Sequence, residues 1–106
     1  MANFADVDGL TSFSPDKMKK NNIYSTERLF CDVYCFEPGQ KQAPHSHAGS
    51  DKIYYVLEGK GRIQIGDESR EAGQGTVVLA PAGVDHAVSN DAPNRLRLLV
   101  IMAPKP

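Results

Sequence analysis

From residue 24 onward, apolar and polar positions alternate in short runs separated by Gly, Pro, Asn and Asp. This is the pattern of strands joined by turns rather than of helices. The runs cover 28–37, 41–47, 52–58, 61–65, 68–71, 76–80, 86–89 and 96–102, with turns at Pro38-Gly39, Glu58-Gly59-Lys60-Gly61, Gly66-Asp67, Gly73-Gln74-Gly75, Pro81-Ala82-Gly83 and Asn90-Asp91-Ala92-Pro93. Lys52, Tyr54 and Val56 share one face of their strand, and Ile53, Tyr55 and Leu57 share the other. In the last run Leu96, Leu98, Val100 and Met102 oppose Leu99 and Ile101. Two apolar faces on one strand predict an interior on one side and a second sheet or second subunit on the other, so a homodimer is expected. Ahead of the strands, 1–23 is polar and reads as an N-terminal arm, and 24–106 reads as the all-β domain, a sandwich or barrel. Ser14 as a cap and Pro15 at a first helical position predict a short helical turn over 14–20.

At 106 residues the chain is one small domain with room for one site. Twelve basic and thirteen acidic residues leave a net charge of −1, which removes the electrostatic case for nucleic acid or an anionic membrane as partner. No apolar run approaches the roughly 20 residues of a spanning helix, and the first sixteen residues contain neither Lys nor Arg. The expected compartment is the cytoplasm. Cys31 and Cys35 stand four apart on a strand, about 13 Å between Cα atoms, beyond the ~7 Å limit of a disulfide; they read as small buried apolar residues.

The three histidines add chemistry. On a strand, His45 and His47 project from one face about 7 Å apart, near enough to share an ion, and His86 follows the tight Pro81-Ala82-Gly83 turn. The frame around them has fixed spacing. Gly39, five residues, His45-Ser46-His47, four residues, position 52, six residues and Gly59 form one unit. Gly75, five residues, Pro81-Ala82-Gly83, two residues, His86, three residues and Asn90 form a second. Both units resemble the two sequence motifs of the cupin superfamily, over the stretch from Gly39 to Asn90. The resemblance implies a short single-domain bacterial cupin: an all-β double-stranded β-helix, or jelly-roll barrel, whose motif histidines point inward and bind a divalent metal. The metal ligands implied are His45, His47 and His86.

One position departs from the family pattern: a Glu, the usual fourth ligand, is replaced by Lys52. An ammonium ~4 Å from a divalent cation is repelled by roughly 8 kcal/mol at an effective dielectric of 20. Lys52 can be neutral, which at pH 7 costs about 4 to 5 kcal/mol from a reference pKa near 10.4, or it can carry its charge aside toward Asp51, or the site can be metal-poor. Asp51 as a substitute ligand requires a bulge, because one residue of shift turns it to the opposite face. The favoured reading is a three-histidine site with Lys52 turned aside or neutral. Three imidazoles favour Zn, Ni, Fe or Cu over Mn and leave positions open for substrate. Tyr54 and Lys52 are candidate catalytic groups. Tyr54, Val56, Val88 and the inward face of the last strand are expected pocket lining. Arg62 and Gln64 either reach the pocket or are solvated, and Lys17, Lys19 and Lys20 read as solvated surface.

The leading function is chemistry on a small organic molecule, of dioxygenase, isomerase or cyclase type. The alternative is a non-catalytic, metal-poor module that captures an acidic metabolite or sugar derivative with Lys52.

Overall fold

A computed structural model describes residues 2–106. Nine strands follow in order: β1 (Lys19–Ser25), β2 (Phe30–Phe36), β3 (Lys41–His45), β4 (Asp51–Glu58), β5 (Lys60–Ile65), β6 (Glu68–Gly73), β7 (Val77–Ala80), β8 (His86–Ser89) and β9 (Leu96–Ala103). They form two antiparallel sheets, one of five strands in the order β1-β2-β9-β4-β7 and one of four in the order β3-β8-β5-β6. The architecture is all-β, as the alternation and the turns predict, and it is the jelly roll that the cupin resemblance implies.

Two expectations about the N-terminal region are overturned. The helical element is a 3₁₀ turn over Asp8–Leu10, not a turn over 14–20. Lys19–Ser25, placed partly in an arm ending at residue 23, is a full strand on the edge of the larger sheet. Its Lys-Lys-Asn-Asn sequence hides it because an edge strand buries little on either face. The segment before it is docked rather than free. Arg97 donates to Asp8 Oδ1 at 3.0 Å and Thr11 Oγ1 at 3.1 Å while also holding Glu58 at 2.9 Å. Asn21 donates to the Ser12 carbonyl at 3.0 Å, and the Arg95 guanidinium lies 4.2 Å from the Phe13 ring centroid.

Alternation holds along β4 and β9. Lys52, Tyr54 and Val56 are buried, as are Leu96, Leu98, Val100 and Met102. Register places Lys52 beside Met102, and Met102 beside Phe30, at one end of the interior; Val56 lies beside Leu98, and Leu96 beside Phe36, toward the other. The apolar cluster of Tyr34, Phe36, Tyr54, Val56, Ile63, Val88, Leu96, Leu98 and Val100 fills the body of the barrel. Polar groups gather at the Lys52 end. Cys35 is buried, Cys31 is half-buried, and both are free thiols.

The second motif's Asn90 is fully buried and acts as a corner post. Its Nδ2 donates to Phe36 O and Asn94 O, and its Oδ1 accepts from the Ala92 amide. Gly59 and Gly75 both turn corners at positive φ, +81° and +89°. At Gly59 a Cβ would lie 2.2 Å from the Arg95 carbonyl oxygen, whereas at Gly75 it meets open space. Gly75→Ala is therefore expected to cost about 1 kcal/mol from backbone strain alone, and Gly59→Ala upwards of ~3 kcal/mol from strain plus collision. Urea unfolding of the two variants checks this, and equal losses would refute it.

Candidate metal centre

His45 and His86 are cross-strand partners at the ends of β3 and β8, so sheet register brings together residues 41 positions apart. Their ring centroids are 4.2 Å apart. His47 does not continue β3 as expected. The strand ends at His45 after an irregularity between Gln42 and His45, and His47 stands in the irregular segment that follows it. It is nevertheless brought in, with its ring 5.2 Å from His45 and 5.7 Å from His86. One ring nitrogen from each of the three lies within 4.8 Å of the others.

The ring orientations suit ligation. Nδ1 of His45 lies 2.9 Å from the Ala43 carbonyl, and Nδ1 of His86 lies 3.1 Å from the Val84 carbonyl. Each Nδ1 must carry the proton to donate to a carbonyl, which leaves Nε2 with its lone pair free toward the interior. His86 Nε2 is buried with no hydrogen-bond partner among the described residues. An orphaned buried acceptor is costly unless something fills the place of its partner. Burial is the first cause that pushes the His86 pKa down to about 4, and burial followed by the Lys52 charge lowers that of His47. Both rings are neutral near pH 7, as metal ligation requires. The three histidines fit a divalent metal held through imidazole nitrogen.

Lys52 is not turned aside. The side chain is 1% exposed, its Nζ sits 3.4 Å from His45 Nε2, and it lies 5.6 and 5.4 Å from the ring centroids of Tyr34 and Tyr54. Burial first, then the neighbouring Lys20, pulls its pKa down to about 8. The shift runs toward the neutral form that was one expectation, while the other, a side chain turned aside toward Asp51, is corrected. Asp51 faces away, with no bulge between it and Lys52; its carboxylate accepts from the Ala82 amide at 2.9 Å and pins the turn that precedes His86. Tyr54 is fully buried, 6.2 Å from His86 between ring centroids, and its hydroxyl has no partner among the described residues. Val56 and Val88 were expected to line the pocket with Tyr54; all three instead belong to the packed apolar core, and none is part of the cavity wall. Arg62 and Gln64 are exposed, with Gln64 donating to the Gly66 carbonyl, so they are solvated.

His45, His47 and Lys52 open into a cavity of about 450 Å³ whose walls include Lys20, Phe30, Tyr34, Gln42 and Met102, while His86 is buried and not part of its wall. Of these, Met102 lies on the expected inward face of the last strand; Lys20, Tyr34 and Gln42 went unrecognised in the sequence. The alternation that sets Cys31 and Cys35 on one face of β2 puts Phe30 and Tyr34 on the other, so those two were within reach of sequence reasoning. Lys20 was not, because its position depends on β1 joining the sheet.

These features define a double-stranded β-helix protein with a three-histidine centre able to hold a metal. The chain belongs to the cupin family: the family model described as Cupin domain matches residues 32–102. An uncharacterised protein of Streptomyces coelicolor is 33% identical over 72 residues, 68% of this chain and 67% of that protein. The crystal structure of a Thermus thermophilus protein superposes with a TM-score of 0.96 at 39% identity, covering 99% of this chain and 100% of the other. A Klebsiella pneumoniae protein described as having a double-stranded β-helix domain shares the fold, with a TM-score of 0.91 at 21% identity over 98% and 91% of the two chains. Among the described residues no helix is long and apolar enough to cross a membrane.

The depressed His86 pKa carries a sign. In chelator-treated protein, the unfolded chain binds a proton near pH 6.5 that folded His86 refuses until about pH 4, so stability falls as pH drops through that window and is unaffected by this group above it. The melting temperature is expected to decline between pH 6.5 and 4, and His86→Asn should flatten the decline. An unchanged slope in the variant would contradict the assignment.

Proposed function

We propose that this cupin holds a divalent transition metal on His45, His47 and His86 and acts on a small organic molecule bound in the adjoining cavity. The observation that carries the reading is the buried, unpartnered Nε2 of His86, set among two further imidazoles whose ligand atoms lie within 4.8 Å. Three neutral imidazoles favour Zn, Ni, Fe or Cu over Mn. The metal would supply Lewis acidity toward a carbonyl or water, or redox chemistry if it is iron, which keeps dioxygenase, isomerase and cyclase chemistry in view. The chain's own groups do the rest. Lys52 places a positive charge where negative charge on a bound molecule would gather, and the Tyr54 hydroxyl, its pKa raised by burial, stays a proton-bearing donor. Phe30, Tyr34 and Met102 give the cavity an apolar wall that limits water.

A second reading has its own support in the pose of Lys52. An ammonium 3.4 Å from His45 Nε2 already occupies that lone pair, as it would in a metal-poor binding module for an acidic ligand. Elemental analysis separates the two. Protein purified without added metal and then reconstituted should hold close to one equivalent of a transition metal, and His86→Ala should lose it. Less than about a tenth of an equivalent after reconstitution would leave only the binding module.

The outer face of the larger sheet supports a homodimer. Val77 and Leu79 are 62% and 52% exposed, and register sets them beside Tyr55 and Ile53, which in turn neighbour Leu99 and Ile101. None of these six is charged, and Arg97 on the same sheet is already neutralised by Asp8 and Glu58, so a second copy docked on these six positions meets no unpaired charge among them. Light scattering should give the mass of a dimer, and Val77→Glu with Leu79→Glu that of a monomer; a monomeric parent protein would refute the pairing.

A further inference from the structure

Five of the chain's seven lysines converge on one side of the barrel. Lys17, Lys19, Lys20 and Lys41 line a groove of about 630 Å³ together with Gln42, between the edge strands β1 and β3. Lys20 and Gln42 belong also to the wall of the histidine cavity, which contains the fifth, Lys52. The groove and the cavity thus share a boundary, and Tyr34 marks it: the ammonium groups of Lys20 and Lys52 lie 5.3 and 5.6 Å from its ring centroid.

These lysines are not neutralised. Among the described residues none of the five pairs with a carboxylate within ion-pair distance, although five ion pairs form elsewhere. Acidic groups nearby include Asp16, exposed on the same segment as Lys17, and Asp32, which acts on Lys52 from beyond contact distance and is held by Asn22 at 2.7 Å; the last residue, Pro106, lines the same cavity. A chain of net charge −1 therefore gathers uncompensated positive charge on one path into its cavity. Lys17, Lys19, Lys20 and Lys41 are exposed and Lys52 is buried, and charge of one sign lining a concave path selects ligands of the opposite sign.

A second observation specifies more than charge. The Gln42 amide, at the shared boundary, meets the Tyr34 hydroxyl, and its Oε1 is buried and accepts no hydrogen bond among the described residues. An acidic ligand bearing only carboxylates or phosphates cannot satisfy it, because those groups accept rather than donate. A hydroxyl can. The unpartnered Tyr54 hydroxyl is a second polar group awaiting a neighbour deeper in.

We propose that the groove and the cavity form one elongated site for a polyhydroxylated acid with two anionic ends, the inner end held by Lys20 and Lys52 beside the histidines, a ligand hydroxyl donating to Gln42 Oε1, and the outer end held by Lys17, Lys19 and Lys41. This deepens the small-molecule reading of the same cavity and rests on it.

Calorimetric titration with named probes tests it. D-glucarate carries a carboxylate at each end with hydroxyls between, 6-phospho-D-gluconate replaces one carboxylate by phosphate, adipate lacks the hydroxyls, and D-gluconate lacks the second charge. Glucarate or phosphogluconate should bind at least about tenfold more tightly than adipate and gluconate. Whichever of the two binds better identifies the outer group as carboxylate or phosphate. Lys17→Ala with Lys41→Ala should weaken the dianion about tenfold and leave gluconate unchanged, while Lys20→Ala should weaken both; thermal melts confirm that these surface variants fold. The proposal is overturned if neither dianion binds, if adipate matches glucarate, or if the Lys17 and Lys41 variant binds the dianion as the parent does. Running the series on metal-loaded and chelator-treated protein keeps the two readings apart. Lysine-dependent binding in a protein that takes up no metal defeats only the metal centre, and metal uptake with lysine-indifferent binding defeats only this site.

Discussion

A lysine buried inside a β-barrel without a carboxylate beside it is the constraint around which the rest of this site is arranged. Removing an ammonium from water is expensive unless its three donors find partners. Lys52 finds one ring nitrogen, on His45, and the faces of two tyrosines, with Asp32 acting from farther off. Cation–π contacts of this kind contribute on the order of 0.5 to 2 kcal/mol each, more where water is excluded. They account for why Tyr34 and Tyr54, on the inward faces of β2 and β4 with β9 between them, frame the lysine. The barrel consequently has two ends of different character. Beyond Val56 and Leu98 it is a packed apolar core; at Lys52 and Met102 it becomes a polar chamber.

The fold was legible because its determinants are local. Alternation along 52–57 and 96–102 assigns faces without knowledge of the partners, and glycines such as Gly59, where a carbonyl sits 2.2 Å from any added Cβ, mark corners that no other residue tolerates. What escaped detection was stabilised from a distance. β1 is polar and pairs with β2 through backbone bonds and through Asn21 and Asn22, neither of which has a periodic signature. The Ser14-Pro15 start of a helix is intrinsically plausible, yet the chain there is committed to the edge of the sheet: the Ser14 carbonyl accepts from Gln40 at 2.7 Å, and the strand begins only a few residues on. A single turn of helix has too little internal stability to compete with that.

For the site, spacing located the histidines because the intervening turns have fixed lengths, and β3–β8 register makes neighbours of His45 and His86 whatever else varies. Even the end of β3 before His47 did not prevent the convergence. Rotamers are another matter. Whether a lysine at position 52 folds back toward Asp51 or reaches into the barrel depends on the tyrosines that receive it, and these belong to β2 and to the next inward position of β4. Asp51 was in any case unavailable, engaged with the Ala82 amide on the other side of the sheet. The lysines of β1 were invisible as site residues for the same reason that β1 itself was.

The metal centre and the cationic path are linked through one lone pair. His45 donates its Nδ1 proton to Ala43, so its Nε2 has a single acceptor position, and in this structure Lys52 approaches it. A metal at that nitrogen and an ammonium donating to it are alternatives. When the position is taken by a metal, the Lys52 charge loses its one conventional acceptor while remaining enclosed, and an anionic group on a ligand is the partner that best restores it. The Glu of the family pattern would instead spend its charge on the metal. Replacing it by Lys removes that negative charge from the protein, and in the proposed site the ligand would supply it, with the lysines leading in from β1 and β3 along its path.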